Sequence, residues 1–364
     1  MQETDIYENR LKKVEDILAE RGIGCLLLNQ TQSIEFLTGA NNTCSWVFIT
    51  KDGKRIALVL ESDYRIYQKQ TFIKDIRTFT PHDPLVHFRR IPDELGLGDR
   101  EIALEKDHLK YSQYEMIEKT IGTKINATVN ADHIVQEARI IKTPVEIELI
   151  KNASQLACYG IQIARETACH GMTEAQLAYK ILEAMLDEGA GHGTYIYLAS
   201  DERSSLAHNH PTNSRLEAGP VVIDIHSSYK GYHADMARTL FLEGSSPEQV
   251  RMYEFFRDRV LATIHSLKDG HSLLEAKRTF YRGLKESDDL ILLRGPLLHG
   301  VGIVNYELPK FDHPFEGKGF PDKLMEGMAL ACTNIGLSSK QGWGIRYEDT
   351  FVIKRDGVDI LTQD

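Results

Sequence analysis

Val222-Ile-Asp-Ile-His-Ser-Ser-Tyr-Lys-Gly-Tyr-His-Ala-Asp235 carries Asp-Ile-His into a turn-forming segment and His-Ala-Asp out of it. Residues two apart on a strand share a face, so Asp224 and His226 point one way, and His233 and Asp235 do so on a returning strand. Ser227 to Gly231 reads as the turn between them. Opposite side chains of such a hairpin approach to about 5 Å at Cβ. Two carboxylates that close repel each other unless a proton or a cation lies between them. On a buried hairpin the pattern points to a divalent ion; on an exposed one it is four solvated side chains.

Around this hairpin the chain reads as a mixture of strands and long helices. Val221–His226, Met236–Leu242 and Gly344–Lys354 are expected strands, bounded by Gly or Asp turns. Thr143-Pro-Val-Glu146 starts a helix: Thr caps, Pro sits where its missing N–H costs nothing, and Glu reaches back to the cap. Ile147, Ile150, Ala153, Ala157, Ile161 and Ala164 continue it at helical spacing. The same start signal recurs at Thr173-Glu-Ala-Gln176, Ser246-Pro-Glu-Gln249 and Ser272-Leu-Leu-Glu275, predicting about four helices around the strands. Separate runs of strands and helices indicate an α+β fold.

The earlier part of the chain has a different rhythm. A helix over Tyr7–Glu20 precedes the apolar strand Cys25-Leu-Leu-Leu28, and Trp46–Thr50, Asp52-Gly53 and Arg55–Leu60 form a hairpin signal. We place a smaller α/β domain at 1–134 and the α+β domain at 135–364, since 364 residues exceed one ordinary core.

Composition excludes several classes. The net charge is -10, and no Lys/Arg block offers a footprint for nucleic acid or an acidic membrane. No apolar run approaches the roughly 18 residues of a membrane span, and the first residues lack a secretory pattern, so a cytoplasmic protein is expected. Cys25, Cys44, Cys158, Cys169 and Cys332 show no metal-knot spacing and are expected as buried thiols. Gly189-Ala-Gly-His-Gly193 follows a helix instead of opening one, so it reads as a turn and not as a phosphate loop.

Downstream of the hairpin lie His299-Gly-Val-Gly302, Tyr306-Glu307-Leu-Pro, Glu326-Gly-Met328 and Arg346-Tyr-Glu-Asp-Thr350. Together with Phe36-Leu-Thr-Gly39, residues 138–150 and Arg238-Thr239, they give the chain a resemblance, over nearly its whole length, to the creatinase/prolidase/methionine aminopeptidase family of pita-bread proteins. The resemblance implies a pita-bread domain behind a creatinase-type N-terminal domain. It also implies a homodimer, with residues 39–46 reaching the partner's site.

It further implies two divalent metals held by two Asp, a His and two Glu, which polarise a scissile carbonyl and lower the pKa of an attacking water. Asp224, Asp235, His299 and Glu348 fall on four of those ligands. The fifth should lie in Met328-Ala-Leu-Ala-Cys-Thr-Asn-Ile-Gly336, where Thr333 or Asn334 stands instead of Glu. Losing a carboxylate weakens a divalent site, so one metal, two or none stay open, with manganese, cobalt, zinc or iron as candidates. His226 and His233 are the candidate replacements, although both lie nearer the turn.

Tyr306 stands where peptidases of the family have His before Glu307, and Tyr is a poor proton shuttle at neutral pH. His208, in Ala207-His-Asn-His210, matches the family's acid/base histidine; His210 and Arg346 are candidate substrate contacts. For Arg346 an ion pair with Glu348 or Asp349 is the plainer expectation. Gly300 and Gly302 are expected to let the backbone pass near the metal site.

Three functions follow from this. One is a metal-dependent Xaa-Pro aminopeptidase or dipeptidase acting on peptides. The second is a creatinase-like hydrolase or lyase that uses His208 to cut a C–N bond in a small molecule. The third is a non-catalytic binding protein, against which stands the cost of burying unpaired charges in a dead site.

Overall fold

A computed structural model describes residues 3–40, 45–83, 85–206, 209–282, 284, 290–293, 295–311 and 323–363. The chain divides into two compact units, Met1–Arg139 and Ile140–Asp364. The break thus falls after Arg139 and not after residue 134, because the last helix of the first unit is tied back to its start: Lys13 Nζ donates to Ala138 O at 2.9 Å.

The first unit begins with α1 (Glu3–Arg21), β1 (Cys25–Leu28), α2 (Thr31–Thr38), β2 (Ser45–Thr50) and β3 (Arg55–Leu60). It continues with α3 (Tyr64–Gln70), β4 (Asp75–Phe79), α4 (Ile91–Glu94), β5 (Ile102–Leu104), α5 (Tyr111–Ile121), β6 (Ile125–Asn130) and α6 (Ala131–Arg139). One mixed sheet runs β4-β3-β2-β1-β5-β6. Its central β1 is buried throughout, which is why Cys25-Leu-Leu-Leu28 reads as a continuous apolar run. The Asp52-Gly53 turn does join β2 to β3, with Gly53 at φ 84°.

The second unit opens with α7 (Pro144–Thr167), α8 (Glu174–Asp187), β7 (Tyr195–Ser200), β8 (Pro220–Tyr229) and β9 (Tyr232–Phe241). Then come α9 (Pro247–His265), α10 (Leu273–Tyr281), β10 (Leu290–Leu293), β11 (Leu298–Gly300) and β12 (Glu307–Phe311). It ends with β13 (Ala329–Cys332), β14 (Gly336–Ser339), β15 (Gly344–Arg346), β16 (Asp349–Lys354) and β17 (Gly357–Ile360). Its sheets run β7-β8-β9, β12-β11-β13-β16-β17 and β10-β14-β15. All four Ser/Thr start signals form reciprocal capping boxes, at Thr143, Thr173, Ser246 and Ser272. Helix α7 is pinned to the hairpin: Tyr232 OH donates to Glu146 Oε1 at 2.8 Å, and Ser227 Oγ to Ala153 O at 2.7 Å.

Three expectations need correcting. The hairpin strands run on to Tyr229 and Tyr232, so the turn is only Lys230-Gly231, both with positive φ, and not Ser227 to Gly231. The expected strand Gly344–Lys354 breaks into β15 and β16, because Glu348 leaves that ladder to bridge Ala237. Cys25 and Cys332 are buried, but Cys158 is only partly covered and Cys169 is exposed; Cys44 lies outside the described residues.

In the first unit, Glu105 is fully buried and accepts the amides of Asn29 and Gln30 at 2.7 and 2.8 Å. Burial outweighs those bonds and pushes its carboxyl up to about 7. His108, hydrogen-bonded to Asp132, is raised as well. Both groups hold protons in the folded unit that the unfolded chain releases. Their contribution to stability therefore falls as pH climbs from 4.5 to about 7, and His108 extends the decline above 6.5. Thermal melts of Glu105→Gln across this range should show a flatter slope than the parent; an unchanged slope would count against the assignment.

Candidate metal centre

The hairpin register decides which groups meet. His226 lies directly opposite Asp235, while Asp224 lies opposite Ala237. The two aspartates therefore do not face each other as expected; they sit diagonally on one face with His226 between them. The two-residue turn sets this register. His226 Nε2 is 3.4 Å from Asp224 Oδ1, and Nδ1 is 3.5 Å from Asp235 Oδ2.

Two further groups arrive from other elements. His299 comes from β11, with Nε2 at 3.6 Å from Asp235 Oδ2 and 3.4 Å from Glu348 Oε1. Glu348 comes from the link between β15 and β16, where its amide donates to Ala237 O at 3.0 Å. Thr350 Oγ1 accepts the Asp235 amide at 2.9 Å and donates to the Asp235 carbonyl at 2.8 Å. Arg238 Nη1 donates to Glu348 O at 2.8 Å, and its Nη2 to Asp349 Oδ1 at 2.7 Å. These bonds hold β9 against residues 346–350.

The result is two groups of three, Asp224/His226/Asp235 and Asp235/His299/Glu348, each with one ligand atom per residue within 4.8 Å of the others. All five side chains are buried, and each keeps one buried atom without a hydrogen-bond partner: Asp224 Oδ1, His226 Nε2, Asp235 Oδ1, His299 Nε2 and Glu348 Oε1. Buried polar atoms are otherwise almost always satisfied. A donor set of carboxylate oxygens and imidazole nitrogens, orphaned toward a shared space, fits a divalent cation.

The electrostatics agree. Burial and the neighbouring carboxylates push Asp235 upward, and burial and Asp224 do the same to Glu348. Burial also opposes the charge on Asp224, but His226 and Arg346 hold its carboxyl below the usual range. Burial lowers His299 and, to about 4, His233. His226 escapes that trend, because Asp235 and Asp224 overcome its burial and raise it to about 9. Crowded carboxylates that gather protons here are a site short of positive charge.

The other expected residues are distributed around this centre. Arg346 pairs with neither Glu348 nor Asp349: its Nη1 donates to Asp224 Oδ2 at 2.5 Å and its Nη2 to Asn334 Oδ1 at 3.4 Å. Asp349 is taken by Arg238 instead. Thr333 Oγ1 accepts the Ile335 amide at 3.1 Å, and Asn334 Oδ1 accepts from Arg346. His233 is half-buried on the same strand face and stands outside the two groups of three. Tyr306 lies against the His299 ring at 4.7 Å, and burial raises its hydroxyl. His210 is exposed and packs on Tyr197 at 5.1 Å. His208 lies outside the described residues.

Glu307 is not aimed at the centre; it forms a buried ion pair with Lys142 Nζ at 2.7 Å. A Cβ on Gly302 would lie 2.4 Å from Glu307 Oε1, and one on Gly300 would lie 2.4 Å from Leu308 O. These glycines thus make room for the 307–308 segment, and not for the metal site as expected.

Sequence reasoning passed over Asn305, whose Nδ2 touches His226 Nδ1 and donates to Asp235 Oδ2 at 3.0 Å. It also passed over Tyr195, stacked on His226 at 4.3 Å. Their one sequence signal is position: Asn305 lies one residue before Tyr306, and Tyr195 pairs across β7 with His226.

A two-unit chain whose second unit gathers buried carboxylates and imidazoles from an antiparallel hairpin and two neighbouring strands has the layout of a metal-dependent hydrolase. Residues 148–355 match Metallopeptidase family M24, and residues 10–141 match the Creatinase/Prolidase N-terminal domain. The chain belongs to metallopeptidase family M24, whose members are hydrolases. It is similar to the Xaa-Pro dipeptidase of Pyrococcus horikoshii, 24% identical over 99% of this chain and 98% of that one. It is also similar to that of Pyrococcus furiosus, 25% identical over 98% of each. The structure of the Xaa-Pro dipeptidase from Bacillus anthracis superposes with a TM-score of 0.86, at 22% identity over 98% of both chains.

Glu307→Ala removes the counter-charge of a buried ammonium, a change that typically costs about 3–5 kcal/mol. Chemical denaturation should show a loss of that order, and Gly302→Ala should also destabilise by driving a Cβ into the same pair. Parent-like stability in both variants would mean that the pair does not support the 302–307 segment.

Proposed function

We propose that the protein is a metal-dependent exopeptidase of the Xaa-Pro dipeptidase or aminopeptidase type, cleaving the C–N bond of a short peptide. The observation that carries this reading is the gathering of five buried residues, each with an atom that lacks a hydrogen-bond partner, into two groups that share Asp235. Full-length similarity to Xaa-Pro dipeptidases supports the substrate class.

In this reading Asp224, Asp235, His299 and Glu348 hold the metal. When bound, a divalent cation supplies Lewis acidity to a peptide carbonyl and acidifies a nucleophilic water. The protein's own groups do the rest. Glu348 accepts a proton from the attacking water, and Tyr306, over His299, donates a hydrogen bond to the substrate. His208, matched to the family's acid/base histidine, protonates the leaving nitrogen. Arg346 fixes the Asp224 carboxylate and so positions a ligand, while Glu307 supports the loop through Lys142. A pocket lined by Tyr197, Leu206, Asn209, Asp224, Gly336 and Arg346 gives the substrate access beside Asp224.

The finer points belong to the same proposal. Manganese or cobalt suits a mixed carboxylate–imidazole site. The family resemblance supports a homodimer, a cytoplasmic setting remains part of the proposal, and no helix of the described residues is long and apolar enough to cross a membrane. A second reading, a small-molecule C–N hydrolase, is favoured by two observations: Thr333 and Asn334 bring no fifth carboxylate, and Tyr306 stands where family peptidases have a proton-shuttling His.

Chelation should abolish hydrolysis of Xaa-Pro dipeptides, and manganese or cobalt should restore it. Asp235→Asn should lower kcat/KM by at least about 100-fold, more than loss of an outer contact costs. Unaltered turnover after both treatments would remove the metal from the reaction. A panel containing Xaa-Pro dipeptides, longer peptides and amidino compounds would separate the two readings.

A further inference from the structure

We infer that His226 is itself a metal ligand through Nε2, completing with Asp224 and Asp235 a cation position beside the one formed by Asp235, His299 and Glu348. This rests on the metal-dependent reading above and extends it, because the position is then one of two carboxylates and an imidazole, a donor set suited to a first-row divalent transition ion rather than magnesium or calcium.

Three observations carry it. First, His226 Nε2 is buried and lacks a hydrogen-bond partner, as does Asp224 Oδ1 at 3.4 Å from it. Asp224, His226 and Asp235 form one group whose ligand atoms, one from each residue, lie within 4.8 Å of one another. Second, the ring is held in place. Tyr195 stacks on it at 4.3 Å with planes 13° apart, and Tyr197 meets it edge-on at 5.4 Å. A ligand whose plane is fixed by packing loses little freedom on binding a metal.

Third, Asn305 stands behind the ring as an outer-shell partner. Its amide nitrogen abuts Nδ1, while its Oδ1 is buried without a partner. Turning the amide over places Oδ1 against Nδ1–H. That arrangement satisfies the orphaned oxygen and leaves the lone pair on Nε2, facing Asp224. A metal-bound imidazole typically donates its other N–H to an oxygen in this way. The imidazole thus returns a donor to a centre that has three carboxylates because Thr333 and Asn334 supply none, and it does so without adding negative charge.

The test is metal binding by the full chain stripped of metal. Cobalt(II) alone is titrated by calorimetry and visible absorption, and the manganese(II) form is examined by pulsed paramagnetic resonance for coupled imidazole nitrogen. The parent should take up two equivalents and show nitrogen from two imidazoles. His226→Gln and His226→Gly should lose one nitrogen and weaken one equivalent by more than about 100-fold, beyond the 10–100-fold typical of losing an outer partner. Asn305→Ala, which leaves the ring in place, should weaken the same equivalent by about 10–100-fold. Circular dichroism of the stripped variants confirms that they fold.

Equal or tighter binding by the folded His226 variants would overturn the inference, since the ring would then be filling the position and not serving it. A parent that takes up one equivalent with a single imidazole would overturn it too, while leaving the metal-dependent function standing. A parent that binds neither cobalt nor manganese would overturn both.

Discussion

Asp235 is surrounded by like charge: Asp224 and Glu348 share its buried space, and the groups that offset them are the His226 imidazole and the Arg346 guanidinium, since burial opposes a charge on His299. Burying three carboxylates together is unfavourable by several kcal/mol unless cations or protons compensate. The strong upward push on Asp235 and Glu348 expresses that imbalance. So do the five buried atoms of these residues that lack a hydrogen-bond partner. A fold that keeps such an arrangement in its interior is organised around a positive charge supplied from outside the chain.

The scaffold spends its strongest internal bonds on holding that arrangement. Arg238, fully buried, ties Glu348 O, Asp349 and Thr362 O to β9, and its guanidinium lies 4.1 Å over the Tyr347 ring. Thr239 and Thr350 exchange hydrogen bonds with Arg346 and Asp235 on either side. Glu348 therefore leaves the β15–β16 run to bridge Ala237, the residue opposite Asp224. The break in an otherwise continuous apolar segment is what brings a carboxylate from the far sheet to the hairpin.

Much of this could be read from single stretches. The capping boxes, the buried run of β1, the Asp52-Gly53 hairpin and the Asp224/Asp235 pattern are local, and each rests on a short-range rule of backbone geometry or side-chain period. The candidate ligands Asp224, Asp235, His299 and Glu348 were legible because their motifs resemble those of a family. The errors have a common cause. The turn length after Tyr229 changes which residue faces Asp235, and the partner of Arg346 is an aspartate 122 positions away, so neither follows from neighbouring residues.

By itself, the sequence determined the two-domain α+β plan, the helix starts, and a hairpin that carries two Asp and two His on one face, because these depend on periodicity and capping within a few residues. Only the tertiary structure decided that His226, and not His233, stands between the aspartates. It also decided that Arg346 is committed to Asp224 and that Glu307 is engaged by Lys142. Those outcomes depend on register and on packing between distant strands, where a shift of one residue exchanges the buried face for the other.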